Sequence, residues 1–214
     1  MTLPEKTVEL TNWSKSAHSA CFVYEASDVA GLLETLATAR AQGLSVIPHG
    51  AGHSYTDAAL NTGGIVIDVR PMRRILSWEA GQGIMRVEPG VTLQEMVQAA
   101  WKDGWWPVVS PSTARVTVGG CAAMNVNGRN AWKCGPFGTN ILSLDVLLAT
   151  GEVRTLMPER EPELFHAFVG SMGLLGIITS ITLQLQRMGS GAVAVHRRSA
   201  TGLEEIFSLS LIHI

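Results

Sequence analysis

Pro48-His49-Gly50-Ala51-Gly52-His53-Ser54-Tyr55 is the stretch on which the fold of this chain turns. It follows a short apolar run, Leu44 to Ile47, that reads as a strand. Two of its glycines stand one residue apart. Without a Cβ in the way, backbone N–H groups at such a turn can approach an anion closely. Ser54 adds a hydroxyl donor. The run is not a dinucleotide fingerprint, because no GxGxxG opens a helix, and it is not a Walker loop, because no Gly-Lys-Ser/Thr follows. Taken alone it has two readings, an anion cradle or a purely structural bend.

Three more stretches of the same character lie downstream. The first runs from Pro111-Ser112-Thr113 through Thr117-Val118-Gly119-Gly120 to Met124-Asn125-Val126-Asn127-Gly128-Arg129-Asn130. Its paired glycines enter an Ala-rich helix whose first amides could face a phosphate. Asn125, Asn127 and Asn130 are polar groups in an apolar setting and need partners, which a polar ring edge could supply; capping of tight turns is the other reading. The remaining two are Gly135-Pro136-Phe137-Gly138-Thr139-Asn140 and Gly170-Ser171-Met172-Gly173-Leu174-Leu175-Gly176-Ile177-Ile178. Four such loops in order are more specific than any one.

Regular elements separate them. Ser27 can cap a helix to about Gln42 with an apolar stripe of Val29, Leu32, Leu33, Leu36 and Ala37, ended by Gly43. Gly64 to Val69 and Met85 to Glu88 read as strands. Thr92 and Glu95 have capping-box spacing, opening a helix that ends near Gly104. Leu144 to Leu148 and Val153 to Leu156 flank Thr150-Gly151 as a hairpin, Glu163 to Val169 is helical, and Ile177 to Leu185 alternates like a strand. The class is α+β, with a seam near residues 107–116, where Pro107 and Pro111 cluster with Ser and Thr.

Composition narrows the function. The 214 residues are 46% apolar, enough for a substantial core in one large domain or two subdomains. Sixteen basic and eighteen acidic residues leave a net charge of -2 with no dense basic run, which argues against nucleic acid as a partner. No apolar stretch approaches the roughly 18 residues of a membrane span. The opening MTLPEKTVEL lacks the features of a secretory signal. Cys21, Cys121 and Cys134 have no CxxC spacing, and His18, His166 and His196 are scattered. No metal site or disulfide framework is expected, and a cytoplasmic setting suits the free thiols, with peripheral membrane attachment left open. From about Thr201 the chain holds one short amphipathic stretch and then stops, so it reads as a fragment whose tail looks like an artefact of sequencing or assembly.

The ordered set Gly50 to Asp57, Thr117 to Gly120, Gly135 to Asn140, Ser143-Leu144-Asp145, Thr150-Gly151-Glu152, and Glu163-Leu164-Phe165 running into Gly173 to Ile178 resembles the FAD-binding domain of the vanillyl-alcohol oxidase / p-cresol methylhydroxylase type. The likeness spans about residues 10–187. Within the superfamily it is greatest to decaprenylphosphoryl-ribose 2'-oxidases and to sugar-alcohol and aldonolactone oxidases, the D-arabinono-1,4-lactone type among them. The resemblance implies two α/β subdomains, about 10–107 and 108–187, with FAD between them, and residues 188–214 as the start of a truncated substrate domain.

It also implies roles. Pro48, His49, Gly50, Ala51, Gly52, His53, Ser54 and Tyr55 would cradle the pyrophosphate, with Thr117, Val118, Gly119 and Gly120 facing them. Met124, Asn125, Asn127 and Gly128 would lie by the flavin and its ribityl chain, Ser112 and Gly138 would line the cofactor, and Ile178 would meet its adenine end. His53 matches a histidine that some relatives bond covalently to the flavin 8α-methyl; in the decaprenylphosphoryl-ribose enzymes the position is typically Arg and FAD is not covalently held. Two positions depart from the pattern: Asn127-Gly128 stands for a common His-Gly, and His49 for a frequent Arg. Cys121 follows its glycine pair, whereas the flavin-linking cysteine of some relatives precedes it, so Cys121 reads as a small buried residue.

The implied reaction is oxidation of an alcohol C–OH of a small sugar-like or polyol substrate by hydride transfer to flavin N5. A flavin-dependent C=C reductase or a non-catalytic flavin-binding module are the alternatives. No catalytic base is identified in this chain, and little turnover is expected from it alone.

Overall fold

Ile65-Val66-Ile67-Asp68 is buried from end to end, as a strand flanked on both edges and covered on both faces must be. It is the fourth strand of a computed structural model that describes residues 4, 6–192, 195 and 197–211. Numbered in chain order, the first elements are β1 (Val8–Thr11), β2 (His18–Glu25), α1 (Val29–Gln42), β3 (Val46–His49) and β4 (Ile65–Asp68). They form a sheet of order β1-β2-β4-β3, in which β4 runs parallel to both β2 and β3. Helix α1 carries the crossover between β2 and β3.

Helix α1 begins one residue later than expected. Asp28, not Ser27, is the cap; it is extended (φ −160°) and accepts the Gly31 N–H at 2.9 Å. Gly43 closes the helix in the left-handed region at φ 65°. The buried face is Leu32, Thr35, Thr38 and Ala39, with Leu36 partly buried and Leu33 exposed. The buried face is therefore rotated from the purely apolar stripe. Thr35 and Thr38 can be buried because their hydroxyls donate to the Gly31 and Glu34 carbonyls, each at 2.9 Å.

The second sheet has the order β5-β6-β10-β8-β9 and is antiparallel throughout. Its strands are β5 (Ile75–Glu79), β6 (Ile84–Val87), β8 (Ile141–Leu148), β9 (Val153–Leu156) and β10 (Gly176–Gln184). Between and around them lie α2 (Leu93–Ala100), the short β7 (Trp105–Trp106), α3 (Val118–Ala123), α4 (Ala131–Cys134) and α5 (Pro162–Phe168). Thr92 and Glu95 form the expected capping box at α2. A 3-10 turn, Trp101–Asp103, carries the chain on to Gly104. The 150–151 turn joins β8 and β9 as a hairpin. Short β11 (Gln186–Arg187) pairs with β7, where the Arg187 guanidinium lies 5.1 Å over the Trp105 ring. The Trp105-Trp106 pair thus sits at an edge, one ring buried and one exposed. The amphipathic stretch of the tail is α6 (Leu203–Leu211); His196 and residues 212–214 lie outside the described residues.

The two sheets are one α+β unit. Helices α2, α3 and α5 cover the second sheet through Leu93, Met96, Val118, Phe165 and Phe168, packed with Met85, Val87, Leu144 and Ile181. Leu147 of β8 and Ile177 of β10 belong to the other cluster, with Leu32, Ile65 and Ile67. The changeover between sheets falls between Asp68 and Ile75. The sequence placed a division at 107/108; β5 and β6 lie before that point yet pair within the second sheet, and the 107–116 segment is instead a loop beside a cleft. Among the described residues, no helix is long and apolar enough to cross a membrane.

Candidate functional site

The parallel ladder of β3 and β4 ends where Val69 N–H donates to the His49 carbonyl at 3.0 Å. The chain then leaves the carboxyl end of β3, the side of a parallel sheet where ligands bind. Among the described residues, no backbone N–H from Gly50 to Tyr55 has an acceptor within the protein. These amides border a cleft of about 740 Å³. Backbone N–H groups need partners, and these are left available to water or to a ligand in the cleft. The facing wall is built from residues 111–113, Val116, Thr117, Gly120, Met124 and Asn127-Gly128-Arg129. Among the described lining residues Arg129 is the one fixed charge, and there is no carboxylate. An anion would meet donors and no repulsion.

Two glycines make this geometry possible. A Cβ on residue 50 would overlap Thr117 Oγ1. Gly52 has φ 69°, and a Cβ there would touch the His49 ring at 3.4 Å. The first loop therefore packs against the start of α3 through the absence of one side chain, and turns through the absence of another.

The start of α3 itself is spent on the protein. Val118 N–H donates to Val91 O at 2.7 Å, Gly119 N–H to Pro89 O at 2.9 Å, and Gly120 N–H to Thr117 Oγ1 at 3.3 Å. The expectation that these amides face a phosphate is corrected: they tie α3 to the β6–α2 turn. Val118 is fully buried in the core. Asn125, at φ 44°, accepts the Gly138 N–H at 2.9 Å, and Asn130 donates to Val108 O at 2.7 Å. Of the three asparagines expected at a ring edge, only Asn127 lines the cleft.

Pro48, Gly50, Ala51, Gly52, His53, Ser54, Tyr55, Ser112, Thr117, Gly120, Met124, Asn127 and Gly128 all stand around the one cleft. His49, Gly119 and Ile178 line a smaller cavity of about 50 Å³ next to it, which shares Pro48, Gly50 and Gly120. Val118, Asn125 and Gly138 line neither. Trp13 and Met172 were not anticipated. Trp13 comes from the turn between two strands, β1 and β2, that the sequence pattern did not disclose; Met172 reaches the cleft from a left-handed backbone, φ 56°.

His49 is largely buried. Burial holds its pKa below the ordinary 6.5, Asp68 pulls upward, Arg70 pushes down, and the Gly50 carbonyl pulls upward. Cys121 lines the cleft but is 1% exposed, and burial pushes its thiol up to about 12. It is a small packed residue and not a nucleophile. Cys134 is half-buried, and nothing in the structure assigns it a role. No group of three His, Cys, Asp or Glu able to hold a metal ion occurs among the described residues.

The family model for the FAD binding domain matches residues 20–157. The chain belongs to that family. Its relatives include decaprenylphosphoryl-β-D-ribose oxidase of Mycolicibacterium smegmatis, 38% identical over 85% of this chain and 40% of that protein. Cytokinin dehydrogenase 6 of Oryza sativa subsp. japonica is 33% identical over 66% of the chain and 28% of its own length. D-lactate dehydrogenase of Anaerostipes hadrus is 31% identical over 66% and 31%. The chain thus spans at most 40% of these three relatives. FAD is the family's cofactor, and the cleft fits it: unanswered amides for a pyrophosphate, apolar walls for a ring system, no carboxylate to repel phosphate, and a buried His53 Nδ1 without a partner.

Two outcomes follow from this geometry. Gly50→Ala is expected to lose about 1–3 kcal/mol of stability by overpacking, measured by urea unfolding, and the added change Thr117→Ala to restore part of it; strict additivity of the two losses sinks the contact argument. The low pKa of His49 couples folding to pH. The unfolded chain gains its proton near 6.5, the folded chain only below that. Stability from neutral His49 is complete above pH 6.5 and is lost as pH falls through the folded value. Urea midpoints measured from about pH 8 to about pH 5 are expected to fall less steeply in His49→Gln than in the unaltered chain.

Proposed function

We propose that this chain is the cofactor-holding part of an FAD-dependent oxidoreductase that oxidises the C–OH of a small sugar-like or polyol substrate by hydride transfer to flavin N5. The observation that carries the reading is the cleft whose 50–55 amides have no acceptor within the protein. Relatives named as an oxidase and as dehydrogenases support oxidation as the chemistry.

When bound, FAD supplies a two-electron acceptor. The chain's own work is to bind and orient it. The amides of Gly50 to Ser54 would hold the pyrophosphate; Ser112, Asn127 and Gly128 would bound the opposite side. Val116, Met124, Val126 and Met172 would exclude water from the reacting face, strengthening every polar contact inside. Among the described lining residues there is no carboxylate or lysine to take a hydroxyl proton. We place that base, with most substrate contacts, outside the FAD-binding domain. His53 lines the same cleft, which makes it the candidate for a covalent anchor on the flavin, with a non-bonded contact as the alternative.

Anaerobic addition of polyols or aldoses to the FAD-loaded protein, extended to the length of its relatives, is expected to bleach the flavin, with little turnover from this chain alone. Reoxidation of reduced flavin by an activated C=C compound without any alcohol-driven bleaching would favour a reductase instead. Denaturing electrophoresis under ultraviolet light decides between the two: a fluorescent band that His53→Ala abolishes establishes the covalent bond, and a dark band rules it out.

A further inference from the structure

His53 lies on a loop, where an imidazole would ordinarily turn freely about two side-chain torsions. Here it does not stand alone. The Trp13 indole stacks on it, ring centroids 4.5 Å apart and planes 25° from parallel. The two segments are also pinned along their backbones. Trp13 N–H donates to Ser54 O at 2.9 Å, Asn12 Nδ2 donates to Tyr55 O at 2.8 Å, and Ser14 Oγ donates to the same carbonyl at 3.1 Å.

Asn12 is the hub of this turn. It is 6% exposed. Its Oδ1 accepts the Ser16 N–H at 2.9 Å and the Ala17 N–H at 3.1 Å, and its Nδ2 also donates to Ser16 Oγ at 3.0 Å. An amide that uses both its donors and both its acceptor sites has one rigid arrangement. That rigidity passes to Trp13, the next residue, and through its ring to His53.

The stack has a cost. His53 Nδ1 is sealed from water and has no hydrogen-bond partner among the described residues. A buried nitrogen in that state is unfavourable unless other packing offsets it or an external partner meets it. Trp13 supplies the packing and also lines the cleft. We propose that the Asn12–Ser14 turn is a clasp on the cofactor loop, and that Trp13 is the positioning residue that fixes the His53 ring before FAD arrives. Preorganisation of this kind raises affinity by removing an ordering cost from the binding step. The proposal rests on the reading of His53 as a flavin contact.

A double-mutant cycle tests it, with Trp13→Ala and His53→Ala made singly and together and thermal unfolding recorded for each. The probe is an FAD analogue lacking the flavin 8-methyl group, which cannot be bonded covalently and so titrates reversibly by fluorescence. Trp13→Ala is expected to weaken binding roughly two- to tenfold, the range of an aromatic stack, and Trp13→Phe to retain most of the affinity. In the His53→Ala background Trp13→Ala is expected to have no further effect. Equal losses in both backgrounds overturn the clasp and leave His53 as a contact. No loss of affinity from His53→Ala overturns the reading of His53 and the clasp with it.

Discussion

The close approach of Gly50 to Thr117 is the contact from which the site is built. It brings the end of the parallel ladder against the first turn of α3, so residues distant in sequence become opposite walls of one cleft. Thr117 is doubly committed there. Its hydroxyl takes the Gly120 N–H, and its backbone bridges to Thr92 at the start of α2. A side chain at residue 50 would disturb the loop, the cap and that bridge together. The buried core sets the same geometry from behind, because Leu147 and Ile177 place the second sheet directly against α1 and β4.

Donor placement across the cleft is uneven. One wall offers amides with no acceptor of their own; the other has spent its helix-end amides on Val91, Pro89 and Thr117. This asymmetry gives the departures at His49 and Asn127 a context. A neutral His49 supports Gly52 from beneath by ring packing. Asn127 faces the cleft without a full charge, next to Arg129, which has one. The described lining is suited to an anion, with backbone dipoles and the Arg129 guanidinium in an otherwise neutral enclosure.

Much of this was legible in sequence, for physical reasons that differ by element. The α2 capping box, the β8–β9 hairpin and strand β4 are local patterns, and each formed where its residues stand. The glycine loops marked most of the cleft because close backbone approach has few other solutions. Three kinds of feature were hidden. The face of α1 was misread because threonine hydroxyls satisfied within the helix bury as readily as apolar groups. The availability of the α3 amides depended on carbonyls at Pro89 and Val91, about thirty residues away in the chain. Trp13 was hidden because it sits in the turn between β1 and β2, and its place on the cleft is set by stacking on His53, far along the chain.

Strands β8 and β10 send alternate side chains into two cores, Leu144 and Ile181 to one and Leu147 and Ile177 to the other. Parting the sheets would expose the cluster in which Leu147 and Ile177 meet Leu32, Ile65 and Ile67, while the core behind the second sheet would stay intact. That shared apolar cluster opposes a clamshell opening between the sheets. On the rim of the cleft, the left-handed backbone of Met172 is held by a hydrogen bond from its own N–H to Ala123 O at 2.8 Å. The rim is thus fastened by single hydrogen bonds, over a bed fastened by packed side chains.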